Sequence, residues 1–165
     1  MILSLGLSAV SVFASQRMTF VADDQGPVDV PVFPPIGTPP TAMFYEPEWA
    51  GTVSKPSALS ALTFTWTAFG TFTMTGTKGD VWDIRVQGIT FVMTFDDKEA
   101  STIQGVFHTT GTLDPDTFDI SSTGTYEFIS GTGIFAKVKG AGTIGAETIT
   151  AGSEYACPMT GWIEY

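Results

Sequence analysis

The stretch Leu62-Thr63-Phe64-Thr65-Trp66-Thr67-Ala68-Phe69-Gly70-Thr71-Phe72-Thr73-Met74-Thr75 decides the fold. Leu62, Phe64, Trp66, Ala68, Gly70, Phe72 and Met74 hold the even positions, and Thr63, Thr65, Thr67, Thr71, Thr73 and Thr75 hold odd ones. A period of two sends successive side chains to opposite faces of a strand, whereas a helix of period 3.6 would scatter them around its axis. One face is therefore oily and the other hydroxylated, with Gly70 marking a bend or bulge.

The same rhythm continues outward. In Val81 to Phe95 the parity changes at Gly88: Trp82, Ile84 and Val86 share a face with Ile89, Phe91, Met93 and Phe95 only if Gly88 sits in a bulge. From Phe118 to Phe128, the residues Phe118, Ile120, Tyr126 and Phe128 oppose Thr117, Asp119, Ser121, Thr123, Thr125 and Glu127. Turn chemistry separates the runs at Thr77-Lys78-Gly79-Asp80, Asp96-Asp97-Lys98-Glu99, Asp114-Pro115-Asp116 and Ser130-Gly131-Thr132-Gly133. No stretch carries a helical stripe. The pattern predicts an all-β meander within residues 41–165, closing as a single antiparallel β-barrel of about eight strands. Eight strands enclose an interior that either fills with side chains or holds one small ligand, and strand number does not choose between them.

A chain of 165 residues with 43% hydrophobic and 15% charged residues suits one compact domain. Its net charge of −10 repels phosphate backbones and anionic headgroups, so neither nucleic acid nor a membrane surface is an expected partner. Cys157 is the only cysteine, so it has no internal disulfide partner and belongs to no CxxC or Cys/His cluster. It reads as a small buried hydrophobe. No GxSxG, phosphate-cradling loop or HExxH occurs.

Ile2 to Val12 is apolar or small and ends in Val12-Phe13-Ala14, which places small residues at the −3 and −1 positions of a signal-peptidase site. Residues 1–14 are thus expected to be a signal peptide, and the mature protein to be secreted, extracellular and free of the membrane. Six prolines, Pro27, Pro31, Pro34, Pro35, Pro39 and Pro40, forbid a helix or a central strand, so residues 15–40 read as a proline-rich extended arm.

Ser130-Gly131-Thr132-Gly133-Ile134-Phe135-Ala136-Lys137-Val138-Lys139-Gly140 resembles the Gly-[Ser/Thr]-Gly-x-Phe-x-x-x-x-Gly turn of the allene oxide cyclase and dirigent barrel superfamily. The preceding Ile120-Ser121-Ser122-Thr123-Gly124-Thr125-Tyr126 is similar to the strand that leads into that turn. The resemblance covers roughly residues 102–145 and implies an eight-stranded barrel with an apolar cavity, no metal or organic cofactor, and assembly into homodimers or homotrimers. It also implies steering of a reactive small molecule, as a cyclase or isomerase or as a stereochemical guide. The acidic and polar residues that act in those families lie outside the matched stretch, so the resemblance assigns no catalytic residue.

Among candidate sites, Tyr45, Glu46, Glu48 and Trp49 form an acidic and aromatic cluster suited to meeting a ligand, and Trp66 and Trp82 are candidates to line the same cavity. Asp83, Arg85 and Gln87 alternate opposite apolar residues and are expected on the outside. His108, the lone histidine, has no evident acid–base partner. The threonine row on one twisted strand makes no flat array of the kind that binds ice. The leading expectation is a secreted, cofactor-independent barrel that binds an apolar small molecule in its lumen. The alternative is a non-enzymatic secreted module with a filled barrel.

Overall fold

A computed structural model describes residues 16–26, 41–117, 119–145 and 155–165; the side chains of residues 42, 44, 45, 47, 48 and 155 are outside that description. The expected signal peptide, 1–14, and the proline stretch, 27–40, both lie outside the described residues.

The chain forms β1 (Met18–Gly26), β2 (Thr41–Lys55), β3 (Thr63–Lys78), β4 (Val81–Phe95), β5 (Thr102–Leu113), β6 (Ile120–Gly131), β7 (Lys139–Gly145) and β8 (Tyr155–Glu164). Each strand pairs antiparallel with the next, and β1 also pairs with β8, so the eight-stranded sheet closes into a ring.

One strand comes from the segment expected to be an arm. Met18–Gly26 contains no proline and alternates, with Phe20, Ala22, Asp24 and Gly26 inward. The proline density that suggested an arm begins only at Pro27. The remaining seven strands fall within 41–165, as the turn spacing predicts.

The bulge read at Gly88 is present: the register shifts between Val86 and Ile89 on β4 against β5, and the same extra residue shifts β4 against β3, with Gly88 at φ +65°. Gly70 marks no bulge, because β3 pairs with β2 in continuous register through it and keeps its alternation. The extra residue keeps Ile84 and Val86 on the same inward face as Ile89, Phe91, Met93 and Phe95. Without it every residue after Gly88 would turn outward.

The interior packs large residues against glycines on the neighbouring strand. Phe91 is in register with Gly105, Phe128 with Gly140, and Phe64 with Gly51, and in each case the ring occupies the space a Cβ would need. Tyr126 is in register with Gly142, and its hydroxyl lies over Gly161 one strand further on. Pairing large with small residues lets aromatic side chains lie flat inside a narrow ring. Trp66 stacks on Phe91 at 4.1 Å and 15°, and Phe91 contacts Phe107 and Phe128 at 6.2 and 6.3 Å.

The two ends of the ring differ. At the end holding the β4–β5 and β6–β7 turns, Phe135 is fully buried against Phe95 and Tyr165, at 4.6 and 5.3 Å. Ser101 ties those turns together: its N–H and hydroxyl donate to the Asp97 carboxylate, and its Oγ accepts the Ile134 N–H. The opposite end is where β1 stops at Gly26, β2 starts at Thr41, β7 stops at Gly145 and β8 starts at Tyr155.

Candidate functional site

Two acids, Asp24 and Glu46, stand among the aromatic residues of the interior. Asp24 sits two residues before the end of β1, in register with Cys157 on β8 and Gly51 on β2. It faces inward because it shares parity with Phe20 and Ala22, and it is 0% exposed. Neither of its carboxylate oxygens accepts a hydrogen bond from a described residue. Burial of this kind pushes its pKa well above the usual carboxylate range, and the Glu46 charge pushes it further.

Glu46, on β2, is the second acid in the interior. Its Oε2 accepts the indole N–H of Trp66 at 2.7 Å. Desolvation raises its pKa to about 7, with the Trp66 hydrogen bond acting in the opposite direction. Cys157, buried beside this pair, has its thiol pushed up by burial and then by the Asp24 and Glu46 charges, so it remains a neutral thiol. Tyr126 adds a buried hydroxyl with no hydrogen-bond partner among the described residues.

A buried carboxyl with no donor costs free energy, roughly 1–3 kcal/mol for the unsatisfied group alone. Asp24 is such a carboxyl, and the Glu46 charge in the same interior makes its ionisation harder still. Such a pair can give a proton to a ligand oxygen from one carboxyl and take one back at the other.

The sequence-predicted residues distribute as follows. Glu46, Trp49 and Trp66 are buried in the interior, with Glu46 and Trp66 in direct contact. Trp82 is half-buried at the start of β4 and packs on the edge of the core. The side chains of Tyr45 and Glu48 lie outside the described set. Sequence reasoning missed Asp24, because the proline-rich reading of 15–40 absorbed it; the inward parity it shares with Phe20 and Ala22 was the available signal. Asp83, Arg85, Gln87 and His108 are all exposed on the outer wall.

Grooves open on that outer wall among the described residues. One, of about 570 Å³, runs across β1 to β4 between Asp23, Gln25, Thr52, Thr65 and Asp96. Another, of about 380 Å³, lies at the Gly88 bulge. Among the described residues no three His, Cys, Asp or Glu side chains are grouped as a metal site requires.

Comparison with family models, with curated proteins and with solved structures returns no match to this chain.

Proposed function

We propose that this protein is a cofactor-independent β-barrel of the allene oxide cyclase and dirigent type that takes an apolar small molecule into its interior and moves a proton on it. The ligand class is a hydrophobic molecule bearing one carbonyl, enol or epoxide oxygen. The carrying observation is Asp24, fully buried and without a donor from any described residue, beside a second buried acid, Glu46. Buried acids with strongly raised pKa values are characteristic of sites that use them.

In this reading a neutral carboxyl of the pair donates to the ligand oxygen, and the partner carboxylate accepts a proton from carbon or oxygen elsewhere on the ligand. Glu46, with its pKa at about 7, is poised to exchange protons at neutral pH. Trp66 fixes the Glu46 carboxyl through the 2.7 Å hydrogen bond, and the aromatic walls hold the apolar body in one orientation. The product is an isomer or a ring-closed form of the substrate, so no redox partner is needed. Export through residues 1–14 and assembly into dimers or trimers belong to the same proposal.

A second reading has its own observation. Trp66, Phe91, Phe107, Tyr126 and Phe128 are all buried, and Trp66 and Phe91 are stacked at 4.1 Å, so the middle of the ring is occupied by its own side chains. That arrangement suits a non-enzymatic exported module with a filled interior.

One experiment separates the two. The protein is incubated with a panel of hydrophobic ketones, enones and epoxides; native mass spectrometry then reads adducts and subunit count, and NMR of the small molecules reads conversion. The catalytic reading expects a retained adduct and an isomerised product, both lost in Asp24→Asn. Recovery of every probe unbound and unchanged by the folded protein overturns it and leaves the filled module.

A further inference from the structure

The bulge that sets the parity of β4 also builds a polar groove on the outer wall. Gln87 and Gly88 together stand opposite His108, because Val86 pairs with Thr109 and Ile89 with Phe107. The Gly88 N–H, displaced from the ladder, donates to Nδ1 of His108 at 3.0 Å. With Nδ1 committed as the acceptor, the neutral imidazole carries its proton on Nε2, on the far side of the ring from Gly88.

Arg85 stands in register with Thr110, and Thr110 with Thr123, so a guanidinium and two hydroxyls line up across three strands beside the imidazole. Arg85, Gln87, His108, Thr110 and Thr123 line the groove of about 380 Å³, and no carboxylate does. Asp83, the nearest acid along β4, lies with its carboxylate over Gly76 on β3, away from β5. Glu127 on β6 is in register with Val106 rather than with His108. In a chain of net charge −10, this is a concave patch offering donors without a resident anion.

From this geometry we infer that the groove at the Gly88 bulge binds the oxyanion of a small polar ligand, with Arg85 as the forked charge partner and His108 and the threonines as hydrogen-bond donors. A guanidinium matches two oxygens of one carboxylate or phosphate, and the cross-strand hydroxyls suit further oxygens on the same molecule. The site is independent of the interior acids, and its occupancy does not depend on the proposed catalysis.

The test is an NMR titration of the full-length protein, ¹⁵N-labelled, with glucuronate, with glucose and with inorganic phosphate, ionic strength being held with sodium chloride. Glucuronate or phosphate is expected to shift the Gly88 amide and the His108 side-chain resonances saturably, and glucose to leave them in place. Tighter binding of glucuronate identifies a carboxylate as the source of the oxyanion; tighter binding of phosphate identifies a phosphate group. Arg85→Gln, a substitution at an exposed position, is expected to weaken binding by about tenfold or more. The inference is overturned if neither anion gives a saturable shift, if glucose shifts the same resonances as strongly, if sodium chloride alone reproduces the shifts, or if Arg85→Gln binds as well as the parent.

Discussion

Trp66 donates its indole N–H to Glu46 Oε2 at 2.7 Å, with both residues buried inside the ring. The bond crosses from β3 to β2 and joins the Trp66–Phe91 stack to a buried acid. It gives Glu46 its described hydrogen-bond donor, while Asp24 has none among the described residues.

Stability depends on pH through Glu46. Its folded pKa is raised from 4.5 to about 7, so the folded state holds the proton more tightly than the unfolded chain. The associated stability is fully present below pH 4.5 and is lost as pH rises through about 7. A shift of this size corresponds to on the order of 3 kcal/mol. Thermal melts between pH 4.5 and pH 8 are expected to show a falling midpoint, and Glu46→Gln, which keeps an acceptor for Trp66, to flatten that fall. An unchanged pH profile in Glu46→Gln would assign the dependence to other groups.

Asp24→Asn tests the proposed catalysis and the cost of the buried acid together. Asp24→Asn keeps the shape of the side chain and removes the cost of ionising a carboxyl that no described donor serves. We expect it to be more stable than the parent at pH 8 by about 1–3 kcal/mol in urea unfolding, and to lose the probe binding described above. A variant that is destabilised instead would mean that Asp24 is satisfied in the native protein.

Trp66→Phe tests the same bond from the other side. It leaves an aromatic ring to stack on Phe91 but removes the donor to Glu46. Because that hydrogen bond holds the Glu46 pKa down, the variant is expected to shift the Glu46 titration above pH 7, read by carboxyl ¹³C NMR. Its unfolding free energy should fall by about 2–4 kcal/mol, from lost packing and an unsatisfied acid together. A Glu46 titration that stays in place would deny the bond any part in setting it.

Two glycines of β7 should respond unequally to alanine. A Cβ at Gly140 would enter the Phe128 ring and crowd the Trp162 carbonyl, whereas one at Gly145 would meet, among the described residues, only Thr123 Cγ2 at 3.9 Å. Gly140→Ala is expected to cost roughly 1–3 kcal/mol, with Gly145→Ala close to neutral, as read from denaturant midpoints. Equal midpoints for the two variants would show that Phe128 does not need the space over Gly140.

Much of the ring was legible in particular residues. The alternation from Leu62 to Met74 gave β3, and the parity change at Gly88 located a bulge that the structure contains. Phe64, Trp66, Phe91, Tyr126 and Phe128 are inward as their parity required. The first strand was not legible as part of the ring. Its own residues alternate, but the neighbouring prolines drew the whole of 15–40 into one extended segment.

The candidate site was half legible for a related reason. Glu46, Trp49 and Trp66 were singled out by residue type. Asp24 was not, since an aspartate near a proline-rich stretch is ordinarily at the surface.

For the strands after residue 41 the sequence by itself determined face parity and the bulge at Gly88, because both follow from the two-residue period and from glycine at a single position. Only the tertiary structure decided that β1 closes against β8. That closure places Asp24 opposite Cys157 and in the same interior as Glu46, residues 22 positions apart in the chain for the two acids and far more for the cysteine. Electrostatic coupling depends on separation in space and on exclusion of water, and neither is encoded in local spacing.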